Sequence, residues 1–202
     1  MEIFSYVITH DFGFAPNPFG GFLTLATCKP RIRLSAAKGD LIVGTGSAST
    51  VGNQKLVYAA KIDDVISIEE YGASSAYEIK RPVAGGEWWR RHGDNIYFMA
   101  GGEWKQRRNI HHPLENMARD LGGENVLVCK QFWYLGDAAI QIPDEFADIV
   151  KKGPGHKRIR NPVLVRQFVD WLMKLPKGVH GSPETRPKST ERCVSAPRTP
   201  HC

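Results

Sequence analysis

Between Ile3 and Tyr71 the chain is cut into short runs of β-branched and aromatic residues, IFSYVITH, GFLTLATC, DLIVGTGS, QKLVYAAKI and DVISIEEY, separated by Gly-, Pro-, Asn- and Asp-containing stretches. Runs this short, bounded by turn residues, read as strands rather than helices. IFSYVITH is apolar on both faces, which predicts a central strand. The spacing predicts an α+β domain built on a small mixed or antiparallel β-barrel, with helices at its periphery.

The second half supplies the helices. NPVLVRQFVDWLMKL has Asn161 to cap it, Pro162 in its first turn and Leu164, Phe168, Trp171, Leu172 and Leu175 along one face, the pattern of a helix packed on a sheet. PLENMARDLGG predicts a helix stopped by Gly122, and PDEFADIVKK a short one with acids first and lysines last. NVLVCKQFWYLG reads as one long strand, PRIRLSAAK as a connection or short helix. AGGEWW and AGGEWK bracket GDNIYFM, as two Gly-Gly turns around one strand would. Beyond Pro176 apolar residues nearly vanish, so a domain over residues 1–176 is expected with a basic, disordered Pro/Ser/Thr-rich tail over 177–202.

The net charge of +6 suits an anionic partner, but Lys177, Arg186, Lys188, Arg192 and Arg198 against Glu184 and Glu191 put +3 of it in the tail. The clusters in the body carry the argument instead. Four cysteines without a CxxC pair predict neither a zinc ribbon nor a disulfide framework, and fit a reduced, cytoplasmic setting. No run approaches the roughly 20 apolar residues of a membrane span.

The segment THDFGFAPNPFGG, from Thr9 to Gly21, combines aromatic rings, a carboxylate, stiffening prolines and glycines. Phe12, Phe14 or Phe19 can stack on a base, and Asn17 or Asp11 can read its edge. Asp11 is the best candidate for a catalytic acid or base, with His10 or Asn17 to orient it. Thr45 and Ser47 in GTGS can hold a phosphate or base edge, although the run lacks the lysine and spacing of a phosphate-binding loop. Trp88, Trp89 and Trp104 lie near Arg90, Arg91, Arg107 and Arg108, an aromatic-with-basic interleaving that suits an unstacked base. On an extended backbone Lys29, Arg31 and Arg33 point to one side as a phosphate-tracking strip, and His156 in GPGHKRIR is a further phosphate contact. Cys28 reads as a small core residue rather than a covalent catalyst, and the adjacent His111 and His112 cannot both face one metal from a strand; neither metal nor cofactor is expected.

SYVITHDFGFAPNPFGGFLTLATCKPRIRLSAAKGDLIVGTGS resembles the start of the nucleotide modification associated domain 2 family, with GDNIYF, NVLVCKQFWYLG and GHKRIRNPVLVRQFVDWL as weaker supports. A fainter similarity is to the EVE and ASCH branches of the PUA-like superfamily: Arg31, Arg33, Gly39-Asp40, LIVGTGS, KLVYAAKI and DVISIEEY follow their order. The resemblances imply a barrel with a modified-base pocket, in a DNA-modification or phage-defence context. They name no reaction. Three readings follow: recognition of modified bases in nucleic acid; a transferase or hydrolase acting on a base or nucleotide with Asp11 as acid/base; and a module that binds other proteins of a modification or defence cassette.

Overall fold

The computed structural model describes residues 1–183. Its strands are β1 (Ile3–Ile8), β2 (Leu23–Leu25), β3 (Leu41–Gly46), β4 (Lys55–Lys61), β5 (Asp64–Ser67), β6 (Tyr97–Ala100), β7 (Glu103–Gln106), β8 (Asn125–Cys129), β9 (Gln131–Tyr134), β10 (Ile140–Gln141), β11 (His156–Ile159) and β12 (Gly178–Val179). The α-helices are α1 (Pro30–Ser35), α2 (Ile68–Ala73), α3 (Trp88–Arg91), α4 (Met117–Leu121) and α5 (Pro162–Leu172). The large sheet runs β11-β1-β3-β4-β9-β12, with β10 also on β4; a smaller one runs β2-β8-β5, and β6 and β7 form a hairpin. The hairpin turns at Gly101 and Gly102, both at positive φ, as a tight two-residue connection requires.

The expected barrel does not form. Among the described residues β11 and β12 end the large sheet, and no pairing joins them. The reason lies in β1 and β3, which pair in parallel. A parallel pair needs a crossover, and here it carries residues 9–22, β2 and α1 across one face of the sheet instead of continuing an antiparallel meander.

β1 is central, as its apolar faces predict. Phe4, Tyr6 and Ile8 join a core with Leu23 and Leu127, whereas Ile3 faces Phe168 and Leu172 of α5 on the other side. Asn161 caps α5 through its side-chain oxygen, which accepts from the Val163 and Leu164 amides. The run NVLVCKQFWYLG is not one straight strand. At Lys130 it passes from the small sheet to the large one, and the Asp63 carboxylate accepts the Lys130 and Gln131 amides at 2.6 and 3.3 Å, which holds the bend. DVISIEEY likewise splits into β5 and α2, because Ser67 caps the helix by accepting from Glu70 N–H.

β12 lies beside β9, so ordered chain continues beyond residue 176. The remainder of the expected tail, residues 184–202, falls outside the described residues. Among those described, no helix is long and apolar enough to cross a membrane.

Candidate functional site

The crossover delivers Cys28 to a strained corner. After β2 the chain turns through Cys28 (φ 55°) and Lys29 (φ 39°) and enters α1 at Pro30. Two successive left-handed non-glycine residues are unfavourable, at roughly 1 kcal/mol or more each. Neighbouring groups enforce the shape. The Cys28 N–H donates to Asp120 Oδ1 at 3.1 Å, and the Cys28 carbonyl accepts from Arg33 Nε at 2.9 Å. The same fully buried guanidinium donates to the carbonyls of Asn125 and Asp120.

Strain at that residue has a chemical counterpart. Cys28 Sγ lies 3.3 Å from His112 Nε2, and His112 Nδ1 is hydrogen-bonded to Asp120 Oδ2. Asp120 Oδ2 also accepts from the Tyr97 hydroxyl at 2.9 Å. Thiol, imidazole and carboxylate thus stand in line, the carboxylate fully buried and the ring 8% exposed. The His112 backbone is fixed too: Asn109 Oδ1 accepts its N–H, and its carbonyl accepts from Gln106 Nε2. Burial alone would lower the His112 pKa, but the bonds to Asp120 and Cys28 outweigh it and push the ring up to about 9. Burial would raise Asp120, yet His112, Tyr97 and the Cys28 amide hold it below the usual aspartate value. His112 is therefore an imidazolium at neutral pH, a positive charge and a proton donor placed against the Cys28 sulfur.

The thiol opens onto a cavity of about 570 Å³. Tyr6, Ile8 and Ile32 give it an apolar interior, Phe12, Phe14 and His111 an aromatic wall. Phe12 stacks on His111 at 5.0 Å and on His10 at 5.9 Å. His111 Nε2 lies 2.7 Å from His92 Nδ1; burial drives both rings down, to about 3 and about 4, so this pair stays neutral. Lys29, Arg31, Arg119 and His156 add basic groups to the lining, which holds no carboxylate among the described residues. An apolar, aromatic slot edged by cations accommodates a flat ring carrying an anionic group.

The sequence candidates distribute unevenly over this geometry. Phe12, Phe14, Lys29, Arg31 and His156 converge on the cavity. Arg33 does not: α1 is helical, so the alternating strip dissolves, and its guanidinium points inward as the strut described above. Asp11, 6% exposed, is absent from the cavity wall; it accepts from Tyr134 OH at 2.6 Å and Gly13 N–H at 3.1 Å. Asn17 donates to His92 O and accepts from the buried Lys80 ammonium. Thr45 donates to Tyr6 O within the sheet. Ser47 bonds to Ser49 and Thr50 beside a second depression. Trp88 stacks on His92 at 4.2 Å, Trp104 packs on a peripheral core, and Arg107 donates to Asn95 and Gly72 over the Phe98 ring. Arg108 is exposed and outside the cavity.

On sequence Cys28 reads as a core residue and His112 as half of a pair unfit for a metal, and Asp120 carries no signal; the three lie 84 and 8 residues apart along the chain. The one local signal was CKP, a Cys two residues before the proline that opens α1. The three ligand-capable atoms lie within 4.8 Å of one another, but His112 Nδ1 is already committed to Asp120. A metal at Nε2 and Sγ would take only two ligands from the three side chains, short of the three or four of ordinary zinc sites. Nucleophilic chemistry suits the arrangement better.

The pKa shifts carry a stability signature. A histidine raised from 6.5 to about 9 stabilises the fold fully below pH 6.5 and loses that contribution as pH rises through about 9. Asp120, depressed from 3.8, contributes above that value and loses it as pH falls through its lower folded value. In thermal melts, the difference between the native chain and His112→Asn is expected to be largest near pH 6 and to shrink toward pH 9.5. A difference that stays constant across that range would overturn the assignment.

Fold and site together define an α+β domain with a thiol–imidazole–carboxylate centre at a cation-lined pocket. No curated protein and no solved structure matches the chain. A family model does, over residues 1–190, and the chain belongs to the nucleotide modification associated domain 2 family. This sets it in a nucleotide-modification context, whereas a PUA-like barrel finds no support in the open sheets.

Proposed function

We propose that the protein is a thiol-dependent enzyme that modifies a nucleotide or a base in nucleic acid. The observation that carries this is the Cys28–His112–Asp120 line opening into a pocket that, among the described residues, has no carboxylate in its lining. The base lies against Phe12, Phe14 and His111, and Lys29, Arg31 and Arg119 meet phosphate. Cys28 Sγ attacks an electrophilic carbon of the base or of a group attached to it, forming an S–C bond. His112 gives its proton to the leaving group, and Asp120 holds the ring in orientation. Water or a second nucleophile then cleaves the S–C bond and returns a proton to His112. Recognition alone would not need a buried carboxylate behind an imidazole, which favours processing over reading.

Competitive alkylation tests it. Cys28 is expected to react with iodoacetamide well ahead of Cys129, which is fully buried, when both are followed by peptide mass spectrometry. Millimolar nucleoside monophosphates should slow the Cys28 reaction severalfold, whereas the corresponding free bases should do so less. A Cys28 that reacts no faster than Cys129, or that no nucleotide protects, would sink the proposal.

A further inference from the structure

We infer that the substrate is a single strand of nucleic acid rather than a free nucleotide, a conclusion that rests on the pocket reading above and extends it. A second depression, about 1,020 Å³, lies beside the first. Val7 and His156 line both. The pairing of β11 with β1 explains how they join. His156 stands opposite Tyr6, a wall residue of the first cavity, while Lys157 stands opposite Ser5; alternation along a strand turns neighbouring side chains to opposite faces. The two depressions therefore lie on the two faces of the sheet rim, with His156 between them.

The chemistry of the second depression suits a polymer's flanking phosphates. Lys151, Lys152 and Lys157 line it against one carboxylate, Asp148, which Lys157 Nζ already approaches at 3.8 Å. Ser47, Asn53 and Gln54 supply neutral polar groups. Among the described residues its lining has no aromatic ring apart from His156, so it offers no second base-stacking slot. A strand whose reacting nucleotide sits at Cys28 would pass its adjoining phosphates over His156 and onto these lysines. A mononucleotide would leave them without a role.

Fluorescence anisotropy on the full chain decides this, with labelled 12-nucleotide single-stranded DNA and RNA and the variant Lys151→Glu/Lys152→Glu/Lys157→Glu. The triple change is expected to weaken binding of the better oligonucleotide at least tenfold and to flatten the salt dependence by about two to three in log–log slope. Protection of Cys28 by nucleoside monophosphates should stay as in the native chain, and thermal melting confirms that the variant is folded. The single change Lys152→Gln, at an exposed side chain, should give a smaller loss in the same direction. Oligonucleotides that bind no more tightly than mononucleotides, an unchanged affinity in a folded triple variant, or equal affinity for an acidic peptide of the same charge would each overturn the inference. If mononucleotides fail to protect Cys28 while the oligonucleotide still depends on the lysines, the pocket reading fails and the groove stands.

Discussion

Replacing His112 with Asn is expected to slow alkylation of Cys28 at pH 7 by roughly tenfold, because the imidazole that contacts and orients the sulfur is lost. The effect is geometric before it is electrostatic. Nε2 stands 3.3 Å from the sulfur, and the ring's other nitrogen is held by a fully buried carboxylate. Asn retains a polar group near Asp120 but cannot place a charged ring nitrogen beside Sγ, so the sulfur loses the partner that orients it. Asp120→Asn should give a smaller loss in the same direction, because the ring persists but its orientation and charge are no longer supported. The rate is read from the pH dependence of carbamidomethylation at Cys28 in folded protein. If His112→Asn reacts as fast as the native chain at every pH, Cys28 and His112 are neighbours without a chemical relation.

The second large effect is on stability. Arg33→Met should lower the melting temperature by roughly 10 °C, from about 3 kcal/mol or more of lost charge-assisted bonding. Burial works against the charge of this guanidinium, and Asp120 helps to sustain it. Removing it leaves the carbonyls of Cys28, Asn125 and Asp120 without their donor. Arg33→Lys keeps the charge but cannot span three carbonyls with a planar fork, so most of the loss should remain. A Cβ at Gly123 would overlap the guanidinium, and Gly123→Ala is expected to act in the same direction. Below their melting points, Arg33 variants should also show slowed Cys28 alkylation, because the strut sets the corner on which the sulfur stands. A variant that melts like the native chain would show that the carbonyls find water instead.

The sequence had read Arg33 as one of three phosphate contacts, and the difference is instructive. Alternation of Lys29, Arg31 and Arg33 has directional meaning only if the backbone is extended, and Pro30 starts a helix instead. The β-barrel failed for a related reason. Short strands and turns are compatible with both a meander and a crossover, and no local pattern distinguishes parallel from antiparallel pairing of β1 with β3. Asp11 shows the same limit at the scale of one side chain. Its loop does wall the cavity through Phe12 and Phe14, but the carboxylate itself is turned to Tyr134, a partner 123 residues away.

What the sequence determined by itself is what short-range physics decides: strand-forming runs, the capped amphipathic helix α5, the rigid aromatic loop, the excess of positive charge, and the family to which the segment around that loop belongs. What only the tertiary structure decided is where Cys28, His112 and Asp120 meet. Those three come from the crossover, a loop after β7 and α4. Their chemistry depends on distances of a few ångströms and on burial, and neither is a property of any one segment of the chain.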